Sequence, residues 1–185
     1  MVRPSGGNSD LFTLEPFLEA VREGVEGKGW ELSGLQKTTS HQFEGRWEGE
    51  ETRSAYLFFH REGLPDSVSL DVFVDETSQG LRGNLALVVS GPSLGELGDV
   101  VQALSRLSEV ADAGLPEGYE APVSVRLHLP RSAPDPRSAE VEIRFKLRIP
   151  SAAIDAGAGV VAALSSTAAR SFLSLLEEPS VRPLL

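Results

Sequence analysis

Val123-Ser124-Val125-Arg126-Leu127-His128-Leu129 places an apolar residue at every odd position, and Val141-Glu142-Ile143-Arg144-Phe145-Lys146-Leu147-Arg148-Ile149 repeats the pattern over nine residues. Successive side chains of a strand point to opposite faces, so each stretch has one greasy face and one polar face. Between them, Pro130, Pro134 and Pro136 withhold ladder donors, so residues 130–137 connect the strands and do not pair. The result is an antiparallel hairpin with a longish loop. Pro150-Ser151 then ends the second strand and starts a helix.

That helix is expected to run from Ser151 to about Leu176, with the apolar line Ile154, Val161, Leu164, Ala168, Phe172 and Leu175. Eight alanines and two glycines between Ala152 and Ala169 give it a smooth surface that other backbones can approach closely. Gly157-Ala158-Gly159 falls inside it, where close helix packing is the simple explanation.

Upstream, Leu14, Phe17, Leu18, Val21 and Val25 form one stripe of a first helix, Leu14 to Glu26. Thr13 is placed to cap it and Gly27-Lys28-Gly29 to end it. From Trp30 to Ser90 the period is two, with five segments: Trp30–Gln36, His41–Trp47, Arg53–Phe59, Ser67–Val74 and Leu81–Val89. Tyr56-Leu57-Phe58-Phe59 is apolar on both faces, as in a central strand covered from both sides. A second helix is expected to open at the Ser93-Leu94-Gly95-Glu96 capping box. Its stripe is Leu97, Val100, Val101, Leu104, Leu107 and Val110, and Gly114 with Pro116 stops it.

The expected class is α+β: a mainly antiparallel sheet of about five to seven strands with three helices, in the order α-βββββ-α-ββ-α. Residues 1–12 read as a flexible lead-in, 13–178 as a single domain and 179–185 as a C-terminal tail. A chain of 185 residues can bury about two-thirds of its unfolded surface without staples. The absence of cysteine removes disulfides, thiolate zinc sites and cysteine nucleophiles together. No apolar run reaches the ~18 residues of a membrane span. The opening residues lack the apolar core of a signal peptide, so a cytoplasmic location is the default expectation. The net charge of −10 opposes association with nucleic acid or anionic membrane.

Reactive constellations are hard to find. His41, His60 and His128 include no pair at metal-ligand spacing, although His41 and His60 could meet across neighbouring strands. Asp66, Asp71, Asp75 and Glu76 are the densest carboxylates outside helices and read as turn residues. The serines bring no Gly-x-Ser-x-Gly or Ser-x-x-Lys, and the glycine-rich turns lack the Lys-Ser/Thr of a phosphate loop. No catalytic residue, metal or cofactor is expected.

The second half resembles the YbjN-like and type III secretion chaperone-like superfamily. Leu85-Ala86-Leu87-Val88-Val89 leads into a helix with Leu104-Ser105-Arg106-Leu107 at its heart, and Val141–Pro150 leads into the final helix. The family's order is helix, three-stranded meander, helix, hairpin, helix, so a hairpin around Trp30–Trp47 would be an addition. The resemblance implies a small acidic homodimer without cofactor, gripping an extended segment of a partner along the sheet and first helix. It defines no binding residues by motif.

Two surfaces are candidates for such binding. The outer face of the C-terminal hairpin gathers Arg126, His128, Arg144, Lys146 and Arg148, with Glu142 as the only acid, in an otherwise acidic chain. This patch could dock an acidic partner segment; the plainer account is a solvated face whose charges limit edge pairing. Ala158, Ala162 and Ala169 mark the small-residue surface of the last helix, which would pack on the chain's own sheet or form a homodimer seam. The leading expectation is a non-enzymatic protein-binding module. The alternative is a small-molecule-binding or enzymatic domain with an apolar cavity between sheet and helices, using Tyr56, His60 or Tyr119 as polar points.

Overall fold

The computed structural model describes residues 13–39, 53–77, 79–116, 122–132 and 135–185. Their elements are α1 (Leu14–Glu26), β1 (Glu31–Thr39), β2 (Arg53–His60), β3 (Val68–Thr77), β4 (Gly80–Ser93), α2 (Val100–Gly114), β5 (Val123–His128), β6 (Glu140–Ile149), α3 (Ser151–Asp155) and α4 (Ala158–Leu176). The strands form one six-stranded antiparallel sheet in the order β1-β2-β3-β4-β6-β5. The fold is therefore α+β. The expected His41–Trp47 strand lies outside the described residues, and β1 pairs directly with β2 in the main sheet.

Alternation decides which face of the sheet is roofed. Leu57, Leu70, Leu85, Ile143 and the same-face residues two positions from each along their strands are buried in one core with Phe17 and Val21 of α1 and Val161 and Phe172 of α4. Burying a side chain of this size contributes about 1.5–3 kcal/mol. α1 lies against α4, where a Cβ at Gly24 would sit 2.2 Å from the carbonyl oxygen of Ala162. Only a glycine allows that approach.

Several expectations need correction. The last helix is broken: Gly157, at φ +96°, separates α3 from α4 in a backbone conformation that side chains disfavour. Nothing packs within 4 Å of where a Cβ on Gly157 or Gly159 would stand, so close packing does not explain these glycines. α4 is 19 residues long and apolar enough, by length and composition, to cross a bilayer, although Ser165, Thr167 and Arg170 break it into shorter apolar runs. Its stripe of Val161, Ala168, Phe172 and Leu175 is buried in this chain's own core.

α2 begins at Val100 and not at Ser93, because Gly98 adopts φ +66° and Asp99 caps the helix by accepting from the Gln102 N–H. The Ser93–Glu96 box closes only a turn, with the Ser93 N–H donating to Glu96 Oε2 at 2.6 Å. Of the stripe expected for α2, Leu107 is buried, together with Ala111, whereas Val101 is 79% exposed. Thr13 occupies the cap position of α1 but makes no side-chain capping bond. Residues 179–185 are no free tail: Val181 is fully buried in the core and Leu184 packs against it.

Candidate functional site

The face of the sheet turned away from α1 and α4, even-numbered on β2, β4, β5 and β6 but odd-numbered on β3, is roofed by no described helix. Ala86 and Val88 on β4 are buried there, yet they stand apart from the main core. Two kinds of side chain surround them. On β2 and β3 lie Tyr56, Phe58 and Phe73, with the Tyr56 and Phe73 rings in register and their centroids 4.8 Å apart. On β6 and β5 lie the cations singled out from the sequence. Tyr56-Leu57-Phe58-Phe59 is thus not covered on both sides by described elements. Its even residues form a half-exposed aromatic patch, and β2 is second from the edge.

The five cations do not act alike. Arg144 Nε donates to Glu142 Oε1 at 2.7 Å, and its Nη2 lies 3.4 Å from Asp71 Oδ2. Arg126 reaches the same Glu142 at a looser 3.6 Å. Lys146, Arg148 and His128 form no ion pair among the described residues, and Arg148 and His128 are exposed. The patch is therefore half neutralised. Its free charge sits on Lys146 and Arg148, in register across β4 with Ala86 and Asn84 and, beyond them, with Asp71 and Phe73.

Asp71, read from the sequence as a turn residue, instead stands mid-strand in β3 and takes part in the patch. It faces the patch from β3, and the Ser69 hydroxyl donates to its Oδ1 at 2.8 Å. Burial pushes its carboxyl above the usual aspartate value, with the Ser69 bond and the Arg144 charge offsetting only part of this. Burial alone would raise Glu142 as well. The hydrogen bond and charge of Arg144, with the charges of Arg126 and His128, outweigh that effect and hold Glu142 below its usual value. The alternation of β3 marks Asp71 as outward-facing, but the link to Arg144 spans 73 positions of sequence and needs the strand order.

The small residues of the last helix are distributed differently from the expected common surface. Ala169 is fully buried and the backbone of Ala162 meets α1, whereas Ala158 is exposed. Tyr56 and His60 cannot be polar points of a cavity between sheet and helices, because they face away from the helices; Tyr119 lies outside the described residues. The interlayer space is filled by Phe17, Phe59, Phe145, Phe172 and Trp30. A cleft of about 610 Å³ opens elsewhere, between Leu97, Ala103 and Leu107 on one side and Pro179, Pro183 and Leu184 on the other. Its walls also bring Glu96 and Arg106 but no histidine. Among the described residues, no three His, Asp or Glu side chains converge as around a metal ion.

No protein-family model matches the chain, and neither a curated protein nor a solved structure matches it.

Proposed function

We propose that this chain is a non-enzymatic protein-binding module, chaperone-like in the YbjN and type III secretion chaperone sense, whose bare sheet face receives an extended segment of a partner protein. One observation carries the proposal. Helices line only one side of the sheet among the described residues, and the other side sets half-exposed aromatics beside uncompensated cations. Aromatic rings offer contact area at low entropic cost, and free cations add steering toward acidic partners. The element order supports the same reading, since a meander, a helix, a hairpin and a last helical segment follow one another as in that superfamily, with one strand added. A cytoplasmic, homodimeric protein with no cofactor belongs to the proposal, as do a protein or peptide partner and no nucleic-acid or membrane ligand.

Affinity capture from the source cells, comparing wild type with a Tyr56→Ser/Arg148→Glu double variant, tests it. A polypeptide retained by wild type and lost from the folded variant is the expected result. Retention by both proteins, or by neither, would remove the sheet face as the working surface.

A further inference from the structure

The hairpin ladder reveals which backbone groups of β5 are free. The Lys146 N–H donates to the Pro122 carbonyl at 2.7 Å, which makes 122 and 146 a hydrogen-bonded pair of the antiparallel ladder. Such pairs recur at every second residue. Ser124, Arg126 and His128, opposite Arg144, Glu142 and Glu140, therefore turn their backbone groups toward β6. Val123, Val125 and Leu127 turn theirs outward. No described residue hydrogen-bonds to those outward groups, and β6 is the only described strand that pairs with β5.

β5 also lacks two of the usual protections of an edge, a bulge and a proline, although it carries Arg126 and has α2 nearby. The opposite edge strand, β1, is interrupted by a register shift between Leu32 and Gly34. β5 runs against β6 without a shift and has no proline from Val123 to His128. Leu127 within it is 54% exposed, and Leu129 just past its end is 51% exposed. An open, regular, partly apolar edge is a template for another strand.

Resting on the proposed binding role, we infer that the β5 edge adds a strand from a partner segment in which acidic and aliphatic residues alternate. The side-chain parity of β5 sets that pattern. Partner residues opposite Arg126 and His128 emerge on the cationic face, and those opposite Val125 and Leu127 emerge beside apolar side chains. Charge decides between an acidic segment and a second copy of β5. The stretch 123–149 carries six Lys and Arg against three Asp and Glu, in a chain of net charge −10. Two such edges side by side would bring like charges together, whereas an acidic strand complements them.

The test uses the full chain and a blocked ten-residue peptide of alternating valine and glutamate, followed by fluorescence anisotropy at low salt. Three comparisons accompany it: a valine–lysine peptide, a valine–glutamate peptide N-methylated at alternate positions, and the variant Leu127→Pro. Proline at 127 deletes an outward donor and spares the ladder to β6. Binding by wild type that weakens about tenfold or more in all three comparisons is the expected result. The N-methylated peptide gives this answer in wild type even if Leu127→Pro does not fold.

Equal binding of the N-methylated peptide would overturn the edge assignment and leave the sheet face as the docking surface. Absence of any valine–glutamate binding would also overturn it, while the capture experiment separately judges the binding role. A peptide-free dimer that becomes a monomer on Leu127→Pro would make the occupant a second copy, and that result too would overturn the inference.

Discussion

Arg144 on β6 holds Nη2 3.4 Å from Oδ2 of Asp71 on β3, with β4 running between the two strands. Its stem has to cross β4 at the level of Ala86 and Val88, and both are nearly inaccessible although no described helix covers them. One long side chain thus crosses the middle of this face. Phe73 and Arg148, level with each other across Asn84, both lie to one side of it.

The carboxyl of Asp71 gives this arrangement a pH signature. Because burial raises it, the folded chain holds that proton more readily than the unfolded chain. Its contribution to stability therefore falls as pH rises from the ordinary value of 3.8 through the raised one. In urea titrations across that window, Asp71→Asn should gain stability relative to wild type as pH rises, then stay level. A relative loss over the same window would mean that the Arg144 charge outweighs burial.

Glu142 should behave in the opposite way. Held below its usual value by Arg144 against the push of burial, it contributes stability above the unfolded-state value, and this is lost as pH falls through the lowered one. Glu142→Gln should cost about 1 kcal/mol at neutral pH and less in high salt. Denaturant midpoints in low and high salt would show this; a salt-independent cost would argue against an ionic origin.

The two arginines of the face separate stability from binding. Arg144→Glu would gather three carboxylates, at 71, 142 and 144, and should destabilise by about 2–3 kcal/mol. Arg148 is exposed and unpaired among the described residues, so Arg148→Glu should stay within about 0.5 kcal/mol of wild type while weakening partner binding at low salt. Melting curves and capture yields on both variants check this, and equal stabilities would contradict the half-buried network.

The seam between α1 and α4 is a packing device. Gly24→Ala adds a methyl where only 2.2 Å separates it from the Ala162 carbonyl, so it should cost about 1–3 kcal/mol. Helix propensity alone would favour alanine by about 1 kcal/mol, so a stabilised variant would refute the contact. Ala169→Glu should unfold the chain and not merely alter its assembly, because residue 169 is wholly enclosed.

What could be read from the sequence follows from how local each signal is. The bounds of α1 and the alternation of β3, β4 and β6 were legible because a stripe or an alternation is written in consecutive residues. The start of α2 was not, because a Ser-x-x-Glu pattern closes a turn as readily as a helix, and Gly98 decides otherwise. The break at Gly157 hides in an alanine-rich run whose composition favours a continuous helix. For the candidate site, alternation placed Arg126, His128, Arg144, Lys146 and Arg148 on one face. Which of them are neutralised depends on Asp71, brought alongside only by the pairing of β3 with β4 and β4 with β6.

Native mass spectrometry of the gently purified protein tests the binding role most directly. The expected spectrum shows the chain carrying a second polypeptide, and the Tyr56→Ser/Arg148→Glu variant, still folded, shows it bare. A retained small molecule, or a polypeptide that stays on the double variant, would contradict the account.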